Sequence, residues 1–399
     1  MRMLVLGAGL QGSACAYDLL QNPAIGEVHL ADREVGALPD FLAPWVGSPR
    51  LRVLKLDVRD HAAARAAMTG ARAVMCALPY YFNLEMTRLA IDAGVHFADL
   101  GGNTEIVGEQ KALSAGAKAK GITVVPDCGL APGMVNILAE LGISRLDEVS
   151  RVKIFVGGLP QVPEGPLKYQ IVYSLEGVLD YYTTRSWVLR DGRRTQVAAL
   201  SEREDVTFDM PIGVLEAFHT AGGLSTMGAR YEGRIPTMEY KTLRYPGHAH
   251  IMEAMRELGL LSLDPIDVKG QRVVPRDVAV AAMTPHLKKP RARDLVALRV
   301  LVEGTKNGDA RTYRWQMVDR YDDATHLSAM ERSTGFSLSV TAQMQVTGAV
   351  APAGVRTPDE CVPGERYVAE LVARGLQIRE DVAGMTASLP AGTTAAAPA

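Results

Sequence analysis

Met3-Leu4-Val5-Leu6-Gly7-Ala8-Gly9-Leu10-Gln11-Gly12 opens the chain: an apolar run passes straight into G-x-G-x-x-G. Such a run predicts a buried strand, and each glycine has its own task in the turn that follows. Gly7 allows the tight turn, Gly9 lets a pyrophosphate approach the backbone, and Gly12 lets the next helix pack on the strand. The free N–H groups at that helix's N-terminus attract phosphate.

Working outward, Glu27 to Ala31 reads as the second strand, and Asp32 closes it twenty residues beyond Gly12. A carboxylate there accepts ribose hydroxyls and repels a 2′-phosphate, so NAD is the expected cofactor and NADP the less favoured one, with Arg33 alongside leaving some room for it. Leu10 and Gln11 in the turn, Asp57 and Val58 after the third strand, and Ala77, Leu78 and Pro79 after the fourth complete the expected cofactor contacts.

Apolar runs at Met3 to Leu6, Glu27 to Ala31, Arg52 to Leu56, Ala73 to Leu78, Val95 to Leu100 and Ile122 to Pro126 alternate with helix-like stretches. That rhythm predicts a doubly wound parallel sheet covered on both faces. Past Asn136 longer strands are joined by turn signals, Asp191-Gly192 and Lys306-Asn307-Gly308-Asp309, which predicts a mixed or antiparallel sheet. The expected organisation is a Rossmann domain over 1–136, a mixed α/β substrate domain over 137–350, a segment over 351–382 that returns to the first domain, and a disordered tail over 383–399.

Lys plus Arg total 43 and Asp plus Glu 45, a formal charge of −2, which leaves no cationic surplus for nucleic acid. No apolar run reaches the ~20 residues of a membrane span. Cys15, Cys76, Cys128 and Cys361 are scattered, without metal spacing, so a reduced, cytoplasmic, metal-free protein is expected.

Chemistry in such sheets gathers beyond the carboxyl ends of the strands. Three polar stretches stand there: Pro79-Tyr80-Tyr81, Asp99 to Asn103, and Asp127-Cys128-Gly129. For Asp99 and Asn103 helix capping is the alternative, and for Cys128 a small buried apolar role. Downstream, Arg244-Tyr245-Pro246-Gly247-His248 offers a guanidinium for a carboxylate and an imidazole for proton exchange, with an ordinary surface loop as the alternative. Glu176 lies in an apolar setting, informative only if buried.

At these residues the chain resembles the saccharopine dehydrogenase superfamily, most closely its lysine 6-dehydrogenase branch. The resemblance rests on LVLGAGLQG, ALPYYFN (77–83), DLGGN (99–103), PDCGLAPGMVN (126–136), GGLP (157–160), YSLEGVLDYY (173–182), EAFHTAGGLST (216–226) and MEYKTLRYPGHAH (238–250). It implies a Rossmann domain with an inserted mixed α/β domain that supplies specificity and oligomer contacts, hence a homodimer or larger assembly. It also implies Tyr80, Asp99 and Cys128 as site residues; His248 as a further catalytic group, and Glu176, Arg244, Tyr245 and Asn103 as substrate contacts, are inferred beside it. The expected reaction is NAD-dependent oxidative deamination of the ε-amine of L-lysine, with Asp99 or His248 as base. A saccharopine- or carboxynorspermidine-type enzyme working on a secondary amine is the alternative, and a non-catalytic nucleotide-binding regulator a further one.

Overall fold

The computed structural model describes residues 1–172, 174–289 and 293–384. Most of the expected tail (385–399), Tyr173 of the YSLEGV block and the centre of the basic stretch 288–293 lie outside the described residues. The strands are β1 (Arg2–Leu6), β2 (Glu27–Asp32), β3 (Leu51–Lys55), β4 (Ala73–Cys76), β5 (His96–Asp99), β6 (Thr123–Val125), β7 (Glu148–Pro160), β8 (Ser186–Arg190), β9 (Arg193–Val197), β10 (Glu204–Thr207), β11 (Val214–His219), β12 (Thr237–Arg244), β13 (Ile266–Val268), β14 (Gln271–Val273), β15 (Asp294–Lys306), β16 (Asp309–Arg320), β17 (Gly354–Val355) and β18 (Arg379–Gly384). The helices are α1 (Leu10–Gln21), α2 (His61–Met68), α3 (Asn83–Ala93), α4 (Thr104–Ala112), α5 (Ser114–Ala119), α6 (Met134–Ile143), α7 (Leu175–Thr183), α8 (Met227–Arg230), α9 (His248–Glu257), α10 (Pro275–Leu287), α11 (Ala329–Val346), α12 (Pro358–Cys361) and α13 (Gly364–Ala373).

One sheet is parallel throughout, in the order β17-β6-β5-β4-β1-β2-β3. The strand order reverses between β1 and β4, the switch point at which open α/β sheets leave a crevice for ligands. The second sheet runs β10-β11-β12-β7-β15-β16-β18, with β8 and β9 hung on β12. β7 and β12 are parallel and the other pairings antiparallel, so the sheet is mixed as its turn signals predict. β13 and β14 form a separate two-stranded hairpin. Among the described residues no helix is long and apolar enough to cross a membrane.

The two sheets share one core. Met3 and Val5 of β1 and Val296, Leu298 and Val300 of β15 belong to the same buried cluster, bridged by α6 and α11. Close approach makes the bridge: a Cβ on Gly142 in α6 would sit 2.7 Å from Val302, and one on Gly335 in α11 would sit 2.7 Å from the Ala14 side chain in α1. These contacts correct the expected boundaries. α11 packs on α1, β4 and β5, so the chain returns to the first domain at Ala329, ahead of residue 351. The last strand, β18, pairs with β16 of the second sheet, and it includes Ala383 and Gly384, which the sequence placed in the tail.

Among the described residues α11 is the longest helix, and it has no periodic signature. Ser333, Ser337, Ser339 and Thr341 are fully buried in it. Their hydroxyls are satisfied locally or across the interface: Ser333 donates to the Ala329 carbonyl at 2.7 Å, Ser337 to that of Gly129 at 2.9 Å and Ser339 to Asp18 at 2.6 Å. A helix buried on several sides lacks the polar face that periodicity needs.

Candidate functional site

Gly7 has φ +97°, and a Cβ on it would come 2.8 Å from the Ala77 carbonyl oxygen; a Cβ on Gly12 would collide with the Gly7 carbonyl. β1, β4 and α1 therefore hold the turn so closely that only glycine fits. Gly9 differs: a Cβ there would meet nothing within 4 Å, and no side chain caps α1 behind it. A glycine unneeded by the protein's own packing, beside uncapped first-turn N–H groups, fits a diphosphate. Asp32 is aimed by the same turn, its carboxylate accepting from the Ala8 N–H at 2.7 Å and the Glu34 N–H at 3.0 Å. Leu10 is half-exposed at the helix start, and the Ala77 N–H bonds the Leu6 carbonyl, so Ala77-Leu78-Pro79 leaves β4 beside the turn. Asp57 is held by Arg59, which lowers its pKa to about 2, and exposed Arg33 reaches Glu34 at 3.4 Å. Val58 is a correction: it is buried in the core beneath the sheet and contributes packing.

At the ends of β5 and β6 the expected reactive groups turn out to be structural. Asp99 is wholly buried and accepts from Asn83 Nδ2 at 3.0 Å, Gln110 Nε2 at 2.6 Å, the Gly101 N–H at 2.7 Å and the Asp127 N–H at 3.3 Å. Burial pushes its pKa up to about 6, against those donors. With its oxygens filled, Asp99 ties three segments together, and the general-base role expected of it is corrected. Cys128 is corrected too: the buried thiol donates to the Val125 carbonyl at 3.1 Å, and burial raises its pKa well above the usual thiol value. A protonated thiol is no nucleophile. Asn103 caps α4 through the Glu105 and Ile106 N–H groups, at 3.0 and 3.1 Å, which is the capping alternative in place of substrate contact.

The sequence reading missed Asp127. Its φ of +63° is a left-handed conformation that Asp tolerates better than most residues. A Cβ on Gly101 would collide with its carboxyl, so that glycine is what admits it. Burial, then nearby Asp99 and Asp359, raise the pKa to about 8, opposed by bonds from Ser225 and the Gly102 N–H. Ser225 Oγ, on a half-exposed turn of the second domain, donates to Asp127 Oδ2. A Cβ on Gly102 would sit 3.5 Å from the Tyr80 Cβ and 3.8 Å from the Tyr181 hydroxyl, so both tyrosines flank its open side. The two domains thus meet over the carboxyl ends of the first sheet, with partly exposed Tyr80 at the mouth. The D-C-G run was the available signal, read for its cysteine instead of its acid.

Within the second domain, Arg244 at the end of β12 is 3% exposed. Its Nε donates to the Tyr182 hydroxyl at 3.1 Å, its Nη1 to the Leu243 carbonyl at 2.8 Å, and its guanidinium lies 4.9 Å from the Tyr169 ring centre. Tyr182 in turn meets His248 Nε2 at 3.0 Å, and His248 Nδ1 meets the Leu167 carbonyl at 2.9 Å. Since a carbonyl only accepts, Nδ1 carries the proton and Nε2 accepts from Tyr182. Burial, then Arg244, lower the His248 pKa to about 3. His248 is therefore neutral with both nitrogens engaged, and its expected base role is corrected. Tyr245 donates to the Pro160 carbonyl at 2.9 Å, a packing role, and Glu176 is exposed in the first turn of α7, outside the apolar setting that would have made its charge informative.

Two further clusters lie elsewhere. Glu202, His219 and Glu239 approach closely enough to hold a metal, but Arg190 bonds both acids at 2.6 Å and Lys153 reaches Glu239 at 3.2 Å, so the group is an ion-pair network already balanced by cations. A cavity of about 610 Å³ lies at the far end of α1 from the glycine turn, between α1, α11 and α13. Its buried Asp18 is satisfied by Arg374, Ser339 and Gln343.

Residues 3–125 match the family described as saccharopine dehydrogenase NADP binding domain, and residues 129–376 match the saccharopine dehydrogenase C-terminal domain. The chain is 28% identical over 274 residues to saccharopine dehydrogenase [NADP(+), L-glutamate-forming] of Pyricularia oryzae, covering 65% of this chain and 58% of the relative. It is 28% identical over 203 residues to the mitochondrial alpha-aminoadipic semialdehyde synthase of Bos taurus, covering 48% of this chain and 21% of that one. The matches thus span less than two thirds of these relatives' own length. Among solved structures, apo saccharopine dehydrogenase (L-Glu forming) from Saccharomyces cerevisiae shares the fold with TM-score 0.78 at 19% identity, over 96% of this chain and 99% of the other. Homospermidine synthase from Legionella pneumophila, in complex with NAD, does so with TM-score 0.68 at 11% identity, over 95% and 91%. Matched over both its nucleotide-binding and its C-terminal regions, the chain belongs to the saccharopine dehydrogenase family.

Proposed function

We propose that this protein is an NAD-dependent amine dehydrogenase that oxidises the ε-carbon of L-lysine. The observation that carries this reading is the joint between Asp127 and Ser225: a carboxyl whose pKa is raised to about 8, bonded to a half-exposed hydroxyl beyond the carboxyl ends of the nucleotide-binding sheet. An ammonium cannot release a hydride from its neighbouring carbon, and free lysine holds its ε-proton to about pH 10, so the site must take that proton. Ser225 would accept it and pass its own to ionised Asp127. NAD held at the Gly7–Gly12 turn and Asp32 would supply the hydride acceptor for Cε, and the oxidised amine would be hydrolysed to ammonia and an aldehyde that closes on the α-amine. Arg244, 3% exposed and bonded to the Tyr182 hydroxyl and the Leu243 carbonyl, braces the second domain in place of the expected substrate contact. Asp32, fixed by the Ala8 N–H, favours the ribose hydroxyls of NAD over the phosphate of NADP. The four cysteines, all free and three of them buried, suit a reducing cytoplasm.

The second reading, a saccharopine-type enzyme working on a secondary amine with NADP, is favoured by the names of the relatives. Purified protein is assayed with NAD or NADP against L-lysine and against saccharopine, following the reduced cofactor and ammonia. Ammonia from lysine with NAD supports the first reading. Turnover of saccharopine without ammonia replaces it with the second.

A further inference from the structure

Segment 222–231, between β11 and β12, carries the second domain across to the first, and it is pinned there on both sides of Ser225. On one side Asn136 Nδ2, from α6, donates to the Gly223 and Leu224 carbonyls at 3.2 and 3.3 Å. Gly223 lies so close to the Tyr240 ring that a Cβ on it would collide. On the other side Arg230, the last residue of α8, forks. Its Nη1 and Nη2 each donate to Glu140 of α6 at 3.1 Å, and Nη1 also donates to the Asp359 carboxylate of α12 at 2.8 Å and to the Asp359 carbonyl at 3.0 Å. Tyr231 adds its own bond to Glu140. Between these anchors stands Ser225 with φ +48°, a left-handed conformation that is unfavourable for serine and persists only where its surroundings impose it. Thr226 beside it meets the Thr357 hydroxyl at 3.4 Å, two residues ahead of Asp359.

We propose that Arg230 is a positioning residue for the reaction: by gripping Glu140 and Asp359 of the first domain it holds the strained turn in which Ser225 faces Asp127. The inference rests on the reading of Ser225 and Asp127 as the route by which the substrate's proton leaves. Among the described residues no bond joins Arg230 to either of them, so its action runs through the turn. A forked guanidinium fixes direction as well as distance, whereas an ammonium in its place keeps the charge and loses the fork. The charge matters separately. Asp127 is faced by Asp99 from β5 and by Asp359 from α12, and the Asp359 side chain is 3% exposed with Arg230 as its cation. Lysine at position 230 would leave Asp359 compensated, so that substitution isolates the geometric role of the fork.

A double-mutant cycle with L-lysine and NAD tests this. Ser225→Ala should lower kcat at least about 100-fold, as loss of a proton-transfer group does. Arg230→Lys should lower it about 10-fold or more with KM changed less than about 3-fold, because small misplacements of reacting groups are costly. The doubly substituted chain should be no slower than Ser225→Ala alone, since Arg230 then has nothing left to position; losses that multiply overturn the proposal. A second arm needs no turnover, so it decides alone if L-lysine is not oxidised and the substrate reading fails. The gap in melting temperature between chains with Asp127 and with Asp127→Asn should grow with pH and level off at the folded Asp127 pKa. The Ser225 bond lowers that pKa, so Ser225→Ala should move the levelling point up by about 1 pH unit, and Arg230→Lys should move it the same way. A levelling point that Ser225→Ala moves and Arg230→Lys leaves in place overturns the proposal. Should Arg230→Lys not fold, Glu140→Gln weakens the other half of the same fork and is read by the same two criteria.

Discussion

The Asp99–Asp127 pair at the end of the first sheet and the Arg244–Tyr182–His248 chain in the second domain are buried alike, yet burial drives them in opposite directions. Desolvation disfavours whichever form is charged, so the carboxyls rise, to about 6 and about 8, and the imidazole falls, to about 3. One physical cause thus removes His248 from acid–base work at neutral pH and brings Asp127 into the range where such work is done. A histidine near a site says little until its burial is known.

Replacing Asp127 tests that contrast most severely. Asp127→Asn should lower kcat by about 100-fold or more and abolish the rise in kcat/KM as pH increases through about 8, because only the ionised carboxyl accepts a proton. A retained ionisation near 8 would return the proton acceptor to another group. Arg244→Gln should cost about 1 to 3 kcal/mol of stability in thermal melts, because the buried Tyr182 hydroxyl and Leu243 carbonyl lose a charged donor, with kcat and KM changed little; an unmoved melting curve removes that bracing role.

Stability against pH gives a third test, read by thermal melts. The folded Asp127 carboxyl has a raised pKa, so its contribution is full below the unfolded value of about 3.9 and is lost as pH rises toward about 8. Asp127→Asn should therefore gain on the wild type in melting temperature as pH rises from about 4 to about 8, by about 1 to 2 °C for each 1 kcal/mol relieved in a chain of this size. His248 has the opposite sense: its contribution is full above about 6.5 and is lost as pH falls toward about 3. His248→Asn should leave the pH profile of kcat/KM in place and cost about 1 kcal/mol of stability for a lost buried bond. The smallest effect is expected at Asn103: Asn103→Ala should cost about 1 kcal/mol as a lost helix cap and leave the kinetic constants unchanged.

Much of this architecture is legible along the chain. The strands of the parallel sheet, the Gly7–Gly12 turn, Asp32 and the hairpin of β15 and β16 follow from local pattern, since strand burial, glycine sterics and turn conformation are settled within a few residues. The Ser328-x-x-Glu331 capping box at the start of α11 was legible as well, with the Glu331 N–H donating to Ser328 Oγ at 3.1 Å. Its helix was obscured because buried serines and threonines read as a loop.

Residue roles depend on what surrounds each group in space. Along the chain Asp99 and Cys128 stood out and Asp127 passed as the neighbour of Cys128; their roles separate only when Asn83 and Gln110 from α3 and α4 bond the first, the core closes over the second, and Ser225 from the second domain meets Asp127. The sequence by itself determined a nucleotide-binding parallel sheet, a second mixed sheet and a set of polar groups at the strand ends, because those depend on short-range geometry. Only the tertiary structure decided which of those groups still titrates, because proton affinity is set by desolvation and by neighbours brought from distant parts of the chain.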